Sequence, residues 1–227
     1  MKAIILAASP GKKLKPFTDE IPKTLVSIGS IPLLKRLINL LHEVGIKEVG
    51  IVVNYKKEKI RDFIKKENIE GITLIEQPEL LGTANAVKCC RDFVKDDDFI
   101  VLMGDNLYSA NDLRRLILAP DHGVLIAESD NPSAYGVIRH DNGLLVSIDE
   151  KPENPASSEI NTGAYKFNQK IFNAIETIGG QGSLTVAINH LAKQEPVRVH
   201  KIKDYWFDID SIDDMLRIEG FFLDQEE

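Results

Sequence analysis

The chain has 227 residues, of which 43% are hydrophobic and 28% are charged, and its formal net charge is −7. This length can bury a full hydrophobic core in one large domain. The acidic balance argues against a general nucleic-acid binder or a protein that coats anionic membranes. No apolar run approaches the roughly 18 residues that a membrane-spanning helix needs. We therefore expect neither nucleic acid nor a membrane as a partner.

The cellular compartment is predicted from two features. The apolar run Ile4–Ala8 is too short for the core of a signal peptide. The two cysteines, Cys89 and Cys90, are adjacent in a predicted helix, where their side chains diverge. Neither a structural disulfide nor a metal-binding pair is expected from them. We expect a cytoplasmic protein.

The first half of the chain alternates strand and helix patterns. The predicted elements are strands at 2–7, 48–53, 72–75 and 98–103, and helices at 33–44, 56–66 and 83–93. Such alternation predicts a mostly parallel sheet with right-handed crossovers. Ligands bind such sheets outside the carboxyl ends of the strands. The loop after the first strand and Asp105 both lie at carboxyl ends, so they can share one crevice.

The second half has closely spaced strands. They are predicted at 123–128, 135–140, 144–149 and 163–167, and helices return at 169–177, 184–193 and 211–223. The run Asp141-Asn142-Gly143 is a strong hairpin signal. With no linker or repeat in the chain, we predict a single α/β domain over residues 1–227. Its Rossmann-like mixed sheet is mostly parallel, flanked by helices, and carries a small antiparallel insertion.

The loop that follows the first strand is cationic. Residues 9–16 combine Gly11 with three lysines, and Lys23 adds a further positive charge nearby. Backbone N–H groups and ammonium charges in such a loop favour phosphate binding. A solvated turn would have the same composition, because a glycine loop alone is weak evidence.

Carboxylates follow two other predicted strands. Asp105 comes after Gly104 at the carboxyl end of a buried strand, where Mg²⁺ would need oxygen ligands. A turn aspartate is the simpler explanation of such a pair. Asp208 and Asp210 can face one side if that stretch is extended. Asp210 or Ser211 is also well placed to cap the last helix.

Eight short motifs follow one another from Lys2 to about Leu216. They are Ile5-Leu6-Ala7-Ala8-Ser9-Pro10-Gly11-Lys12-Lys13-Leu14-Lys15-Pro16, Pro22-Lys23-Thr24-Leu25, Leu81-Gly82-Thr83-Ala84, Gly104-Asp105-Asn106, Tyr135-Gly136-Val137-Ile138, Glu150-Lys151-Pro152, Asn161-Thr162-Gly163-Ala164-Tyr165 and Tyr205-Trp206-Phe207-Asp208-Ile209. In this order they resemble the sugar-1-phosphate nucleotidylyltransferases. The similar members are the glucose-1-phosphate thymidylyltransferases and the N-acetylglucosamine-1-phosphate uridylyltransferases.

The resemblance implies a reaction and a set of site residues. A nucleoside triphosphate and a sugar 1-phosphate would give a nucleotide-sugar and pyrophosphate, with Mg²⁺ as the cofactor. The implied residues are Lys13 and Lys23 for catalysis; Leu6, Ala7, Ala8, Gly11, Gln77, Gly82 and Thr83 for the nucleotide; Gly136, Glu150, Lys151 and Thr162 for the sugar phosphate; and Asp105 and Asp208 for the metal. Because an amide can pair with the imide edge of uracil or thymine, Gln77 favours UTP or dTTP. Relatives often self-associate, so a homo-oligomer is possible.

The sequence departs from the family at two segments. Ser9 replaces a glycine, Pro10 removes a backbone donor, and Lys13 stands where an arginine is usual. Residues 181–185 lack the acids and the arginine that relatives carry in an Arg-Gly-Glu-Leu-Glu run. The chain ends at Glu227, so we expect no acyltransferase β-helix domain.

Two other functions stay open at this stage. One is a nucleotide-sugar-binding regulatory protein with impaired catalysis, which the altered segments would suit. The other is a cytidylyltransferase that acts on an alcohol phosphate, because the tail at 208–214 is similar to tails in those relatives.

Overall fold

The apolar run at the N-terminus forms an inner strand of a nine-stranded sheet in the computed structural model, which describes residues 1–223. The strands are β1 (Lys2–Leu6), β2 (Ser27–Ile28), β3 (Ile31–Pro32), β4 (Val49–Val53), β5 (Ile72–Glu76), β6 (Phe99–Met103), β7 (Asn106–Tyr108), β8 (His122–Glu128), β9 (Gly136–Asp141), β10 (Leu144–Glu150), β11 (Glu159–Phe167), β12 (Val197–Lys201) and β13 (Trp206–Asp208). The helices are α1 (Phe17–Glu20), α2 (Leu33–Glu43), α3 (Lys57–Lys66), α4 (Thr83–Lys88), α5 (Arg91–Val94), α6 (Ala110–Ile117), α7 (Lys170–Thr177), α8 (Leu184–Ala192) and α9 (Ile212–Leu223).

The main sheet has the strand order β5-β4-β1-β6-β11-β8-β12-β10-β9. The first four strands in this order are parallel to one another. Strand β11 runs antiparallel to both β6 and β8, and the hairpin β9–β10 extends the sheet antiparallel to β12. The predicted α/β class, with a mixed sheet and an antiparallel addition, is confirmed.

Strand β1 is buried on both faces, which explains why its sequence is continuously apolar. Ile4 and Leu6 belong to one core cluster, which α4, α7 and α8 also line, whereas Ala3 and Ile5 belong to a second cluster beneath α2 and α6. The carboxyl ends of β1 and β6 therefore sit between two packed layers. The loops that leave those ends have rigid anchors.

One predicted helix is wrong in its extent. The pattern at 83–93 predicts a single helix, but it is divided into α4 and α5 with Cys89 and Cys90 at the junction. There the Cys90 N–H donates to the Val87 carbonyl, 2.9 Å away, so a tight i to i−3 bond replaces the α-helical one. Both thiols are free. The predicted elements also omit α6, β12 and the small ribbons β2–β3 and β7–β13.

None of the helices within residues 1–223 combines the length and the apolarity required to cross a bilayer.

Helices α4 and α8 meet through two glycines. The Gly182 N–H donates to the Leu81 carbonyl (2.6 Å), and the Gly182 carbonyl accepts from the Ala84 N–H (2.9 Å). Gly82 has a φ of +96°, and a Cβ at this residue would lie 2.3 Å from the Gly182 oxygen. This close approach of two backbones requires glycine at position 82.

A matched pair of substitutions tests that contact. Gly82→Ala should lower the free energy of unfolding by about 2–4 kcal/mol, because it adds a backbone clash to the strain of a positive φ. Gly182→Ala has the strain without the clash, since φ there is +85° and no other atom lies within 4 Å of the added Cβ. Its loss should be about 1 kcal/mol. Equal losses in urea unfolding would contradict the proposed contact.

Candidate active site

Three carboxylates meet at the carboxyl end of β6. One oxygen each from Asp105, Asp208 and Asp210 lies within 4.8 Å of the others. Asp105 lies between β6 and β7, two residues after β6 ends. Asp208 ends β13, which pairs with β7 so that Asp208 lies opposite Asn106. The Ile209 N–H donates to the Asp105 carbonyl at 3.1 Å and extends the ribbon. The β7–β13 ribbon therefore joins acids that are more than a hundred residues apart in sequence.

Two lysines from the N-terminal segment pair with these acids. Lys23 is only 5% exposed, and its Nζ donates to Asp105 Oδ2 at 2.7 Å and to Asp210 Oδ1 at 2.8 Å. Lys13 Nζ donates to Asp210 Oδ2 at 2.6 Å from the exposed side. Asp210 thus bridges the two ammonium groups.

The pairing sets the charges of these groups. Burial works to lower the pKa of Lys23, but the nearby Asp105 and Asp210 carboxylates raise it above its ordinary value. Burial likewise works to raise the pKa of Asp210, but the hydrogen bonds from Lys13 and Lys23 bring it below its ordinary range. Both lysines therefore stay positive and Asp210 stays negative at neutral pH.

Asp208 is in the opposite situation. Burial and the neighbouring charges of Asp105 and Asp210 raise its pKa to about 7. It forms no ion pair with any other residue in the range 1–223. A carboxyl group held this way beside two other acids would be stabilised as a carboxylate by an added cation.

The cationic loop is held directly above Lys23. Gly11 has a φ of +62°, and a Cβ there would lie 2.7 Å from the Lys23 Cβ. The Gly11 carbonyl accepts from the Thr18 hydroxyl at 2.9 Å, and Leu14 is fully buried below the loop. Glycine is needed at position 11 because the Lys23 side chain passes directly beneath it.

A mostly apolar cavity of about 240 Å³ opens beside this loop. Its walls include five residues of the predicted nucleotide set, namely Leu6, Ala8, Gln77, Gly82 and Thr83. Gln77 is almost fully buried, and its amide nitrogen donates to the Gly82 carbonyl and to Asn85 Oδ1, each at 3.0 Å. These bonds use both amide protons, so Gln77 Oε1 is the atom that can meet a ligand.

A second cavity of about 250 Å³ shares Thr83 and Met103 with the first. The predicted residues that it brings together are Asp105, Asp208, Gly136, Glu150, Lys151 and Thr162. The three acids thus line the second cavity, and the loop reaches them through the contact of Lys13 with Asp210.

The side chains of the predicted sugar-side residues differ in their freedom. Glu150 and Lys151 are exposed, and Lys151 has a φ of +45° with its N–H bonded to the Tyr135 carbonyl. Thr162 is 1% exposed, and its hydroxyl donates to the Leu125 carbonyl at 2.8 Å. A bulge in β11 against β8 turns the Thr162 side chain inward, so its hydroxyl bonds to the neighbouring strand.

The site also contains residues outside the predicted set. Asp210 joins the acid cluster, while Ser183, Leu184 and Thr185 of the segment 181–185 line the second cavity. Of the two predicted capping residues, Ser211 caps α9, since its hydroxyl accepts from the Asp214 N–H at 3.1 Å. The alternation Asp208-Ile209-Asp210 was a usable signal for Asp210, whereas no local pattern indicates where residues 183–185 dock.

The chain is similar to known nucleotidyltransferases over nearly its whole length. The family model described as "Nucleotidyl transferase" matches residues 2–225. The "Bifunctional protein GlmU" of Methanocaldococcus jannaschii is 38% identical over 230 residues, which are 99% of this chain and 55% of that protein. The "Glucose-1-phosphate thymidylyltransferase" of Streptomyces antibioticus is 31% identical over 240 residues, with 100% of this chain and 67% of the relative covered.

The fold has close counterparts among solved structures. A putative glucose-1-phosphate thymidylyltransferase from Bacillus anthracis, in complex with a sucrose, matches with a TM-score of 0.88 and 26% identity over 97% of this chain and 94% of that one. A UDP-glucose pyrophosphorylase complexed with UDP-glucose shares the fold with a TM-score of 0.87 at 22% identity, over 99% of this chain and 98% of that one.

The chain spans about half the length of several curated relatives that it matches. The matched part nevertheless extends over nearly all of this chain, and the resemblance to sugar-1-phosphate nucleotidylyltransferases is confirmed. The chain belongs to the nucleotidyl transferase family.

Proposed function

We propose that this protein transfers a nucleotidyl group from a nucleoside triphosphate to a sugar 1-phosphate and releases pyrophosphate. The observation that carries the proposal is the junction of the two cavities beside the paired lysines Lys13 and Lys23 and the three acids. A nucleoside would occupy the apolar cavity and a sugar the polar one. The reacting phosphates would then lie between them, next to the charges.

The proposed step is an in-line displacement at the α-phosphorus. An oxygen of the sugar phosphate forms the new bond to this phosphorus, and the bond to the bridging oxygen of the β-phosphate breaks. The electron pair leaves with pyrophosphate, so atoms and charge balance. Such reactions depend mainly on positioning and on neutralising charge.

The lysines would supply much of that neutralisation. Lys23 is buried and fixed at two points, which suits a permanent contact with the α-phosphate. Lys13 is 70% exposed on the loop, which suits the departing pyrophosphate. Asp210 keeps both ammonium groups aimed at the same region before substrate arrives.

The acid cluster fits Mg²⁺, because Asp105, Asp208 and Asp210 offer three hard oxygen ligands within reach of one another. Asp105 and Asp208 would hold the ion. When bound, it would neutralise phosphate charge and orient the reacting groups. The pKa of Asp208, raised to about 7, supports this assignment because a cation would relieve the repulsion among the acids.

The substrates are proposed from the cavity walls. Gln77 Oε1 can accept from the imide N–H of uracil or thymine, which favours UTP or dTTP. Glu150 can accept from a sugar hydroxyl, and the exposed Lys151 can bind the phosphate of the sugar 1-phosphate. All of these residues border one main sheet, which supports a single nucleotidyltransferase domain over residues 1–227.

A matrix of substrates tests the proposed reaction. Each nucleoside triphosphate is incubated with each of several sugar 1-phosphates and Mg²⁺, and with choline and inositol phosphates as alternative acceptors. We expect pyrophosphate release with UTP or dTTP and a sugar 1-phosphate. Calorimetry that detects nucleotide-sugar binding without turnover of any pair would indicate a regulatory protein instead.

The metal assignment is tested by Asp105→Asn. The loss of a ligand should lower kcat by about 100-fold or more, because the substitution removes charge that holds the cation. Asp96→Asn is the matched control, since Asp96 is exposed and precedes β6, whereas the acid cluster lies at the other end of that strand. Wild-type turnover by Asp105→Asn would contradict the assignment.

Lys23→Met removes the buried positive charge while keeping a long side chain. We expect kcat to fall by about 100-fold or more because the α-phosphate loses its fixed counter-charge. The control is Lys59→Met on the exposed face of α3, which should retain full activity. Similar kinetics for the two variants would remove Lys23 from the mechanism.

Asp208→Asn should stabilise the metal-free protein at high pH. The Asp208 carboxyl group has a pKa of about 4 in the unfolded chain and about 7 in the folded protein. Its ionisation therefore lowers the free energy of unfolding progressively as the pH rises between these two values. The variant should therefore gain on the order of 2 kcal/mol of unfolding free energy at pH 8 and little near pH 4. Urea unfolding at both pH values measures this difference.

The same variant separates a metal site from a structural acid. Mg²⁺ should raise the thermal unfolding temperature of the wild type more than that of Asp208→Asn. A stability gain that does not depend on pH, or an equal response to Mg²⁺, would contradict this role of Asp208.

A further inference from the structure

Helix α8 holds the end of β10 at two points that are one helical turn apart. The Asn189 side chain accepts from the Ile148 N–H at 2.7 Å and donates to the Ile148 carbonyl at 2.9 Å. Four residues earlier in the helix, the Thr185 hydroxyl bonds to Glu150 Oε2 at 3.3 Å. Residues at i and i+4 share one helix face, so both contacts come from the same side of α8.

The hydroxyl groups behind Glu150 form a directed chain. An ionised carboxylate can only accept hydrogen bonds, so the Thr185 hydroxyl donates to Glu150. The 2.7 Å contact between Ser183 Oγ and Thr185 Oγ1 must then use the proton of Ser183. The Thr185 N–H in turn donates to Ser183 Oγ at 3.4 Å. Ser183 thus donates to Thr185, and Thr185 donates to the Glu150 carboxylate.

Burial restricts the motion of these hydrogen-bonded hydroxyl groups. Thr185 is 6% exposed and is fixed on α8, whereas Glu150 itself is exposed at the cavity wall. Gly136 also borders this carboxylate, because a Cβ there would lie 3.4 Å from Glu150 Oε2. An exposed glutamate would otherwise sample several rotamers, and Thr185 selects one of them.

We propose that Thr185, supported by Ser183, is a positioning residue that fixes Glu150 and thereby sets which sugar hydroxyl the site recognises. The proposal rests on the proposed function, because it assigns the second cavity to a sugar. Thr185 uses one lone pair of Oε2, and Oε1 keeps both of its lone pairs to accept from the substrate. A site that uses one fixed acceptor discriminates against sugars that lack or invert the matching hydroxyl.

The test is Thr185→Val, which keeps the shape of the side chain and removes the donor. We expect the KM for the sugar 1-phosphate to rise about tenfold, with kcat and the KM for the triphosphate changed less than about twofold. Discrimination between the preferred sugar 1-phosphate and its epimers or monodeoxy analogues should narrow by a similar factor. Thr185→Ser should restore wild-type values, because it returns the hydroxyl.

Thr177→Val is the matched control on another helix. Thr177 is exposed, and its hydroxyl donates to the Asn173 carbonyl within α7, away from both cavities. This variant should have wild-type kinetics. Ser183→Gly is the second test if Thr185→Val fails to fold, because glycine is tolerated at a helix N-cap at little cost. It should raise the same KM about threefold by removing the donor to Thr185.

The outcomes separate this inference from the proposed function. Suppose that the wild type is active and that Thr185→Val, or Ser183→Gly in its place, leaves the sugar KM and the discrimination between sugars unchanged. That result would overturn the inference, whereas the proposed reaction would stand. A wild type that neither turns over any substrate pair nor binds a sugar 1-phosphate in calorimetry would overturn the reaction, and the inference with it.

Discussion

The ammonium group of Lys23 connects the three segments on which the site depends. It is almost fully buried, and it binds Asp105 after β6 and Asp210 after β13. A buried ammonium without these partners would be costly, so the contacts constrain the loop, the β7–β13 ribbon and the end of β6 together. Gly11 is part of the same constraint, because only glycine lets the cationic loop lie against the Lys23 side chain.

Two neighbouring acids have opposite charge behaviour as a consequence. Asp210 accepts from both Lys13 and Lys23, and its pKa is low. Asp208 has no such partner among residues 1–223, and burial beside two other carboxylates raises its pKa to about 7. The repulsion among these acids therefore costs free energy at Asp208, and a bound cation would relieve it. Acidic groups whose ionisation costs stability in this way are common at functional sites.

Much of the fold was predictable because it depends on local patterns. The apolar run at 2–7 indicated a strand, and the alternation of Asp208 and Asp210 indicated that both can face one side. The bridging of two lysines by Asp210 was not predictable, because it requires the pairing of β13 with β7. The inward hydroxyl of Thr162 depends on a bulge in β11, and the docking of residues 183–185 depends on the contact of α8 with β10. Sequence patterns report the periodicity of single elements, whereas these features arise from the register between distant ones.

The cationic loop and the segment 181–185 now have a physical interpretation. Lys13 is paired with Asp210, and the hydroxyls of Ser183 and Thr185 support Glu150. The central claim is that these groups form a working nucleotidyl-transfer site, and the reverse reaction tests it most directly. Radiolabelled pyrophosphate is added to the protein with Mg²⁺ and a UDP-sugar or dTDP-sugar, and the nucleotides are then separated. We predict that the label appears in UTP or dTTP; the absence of labelled triphosphate with every nucleotide-sugar would contradict the account.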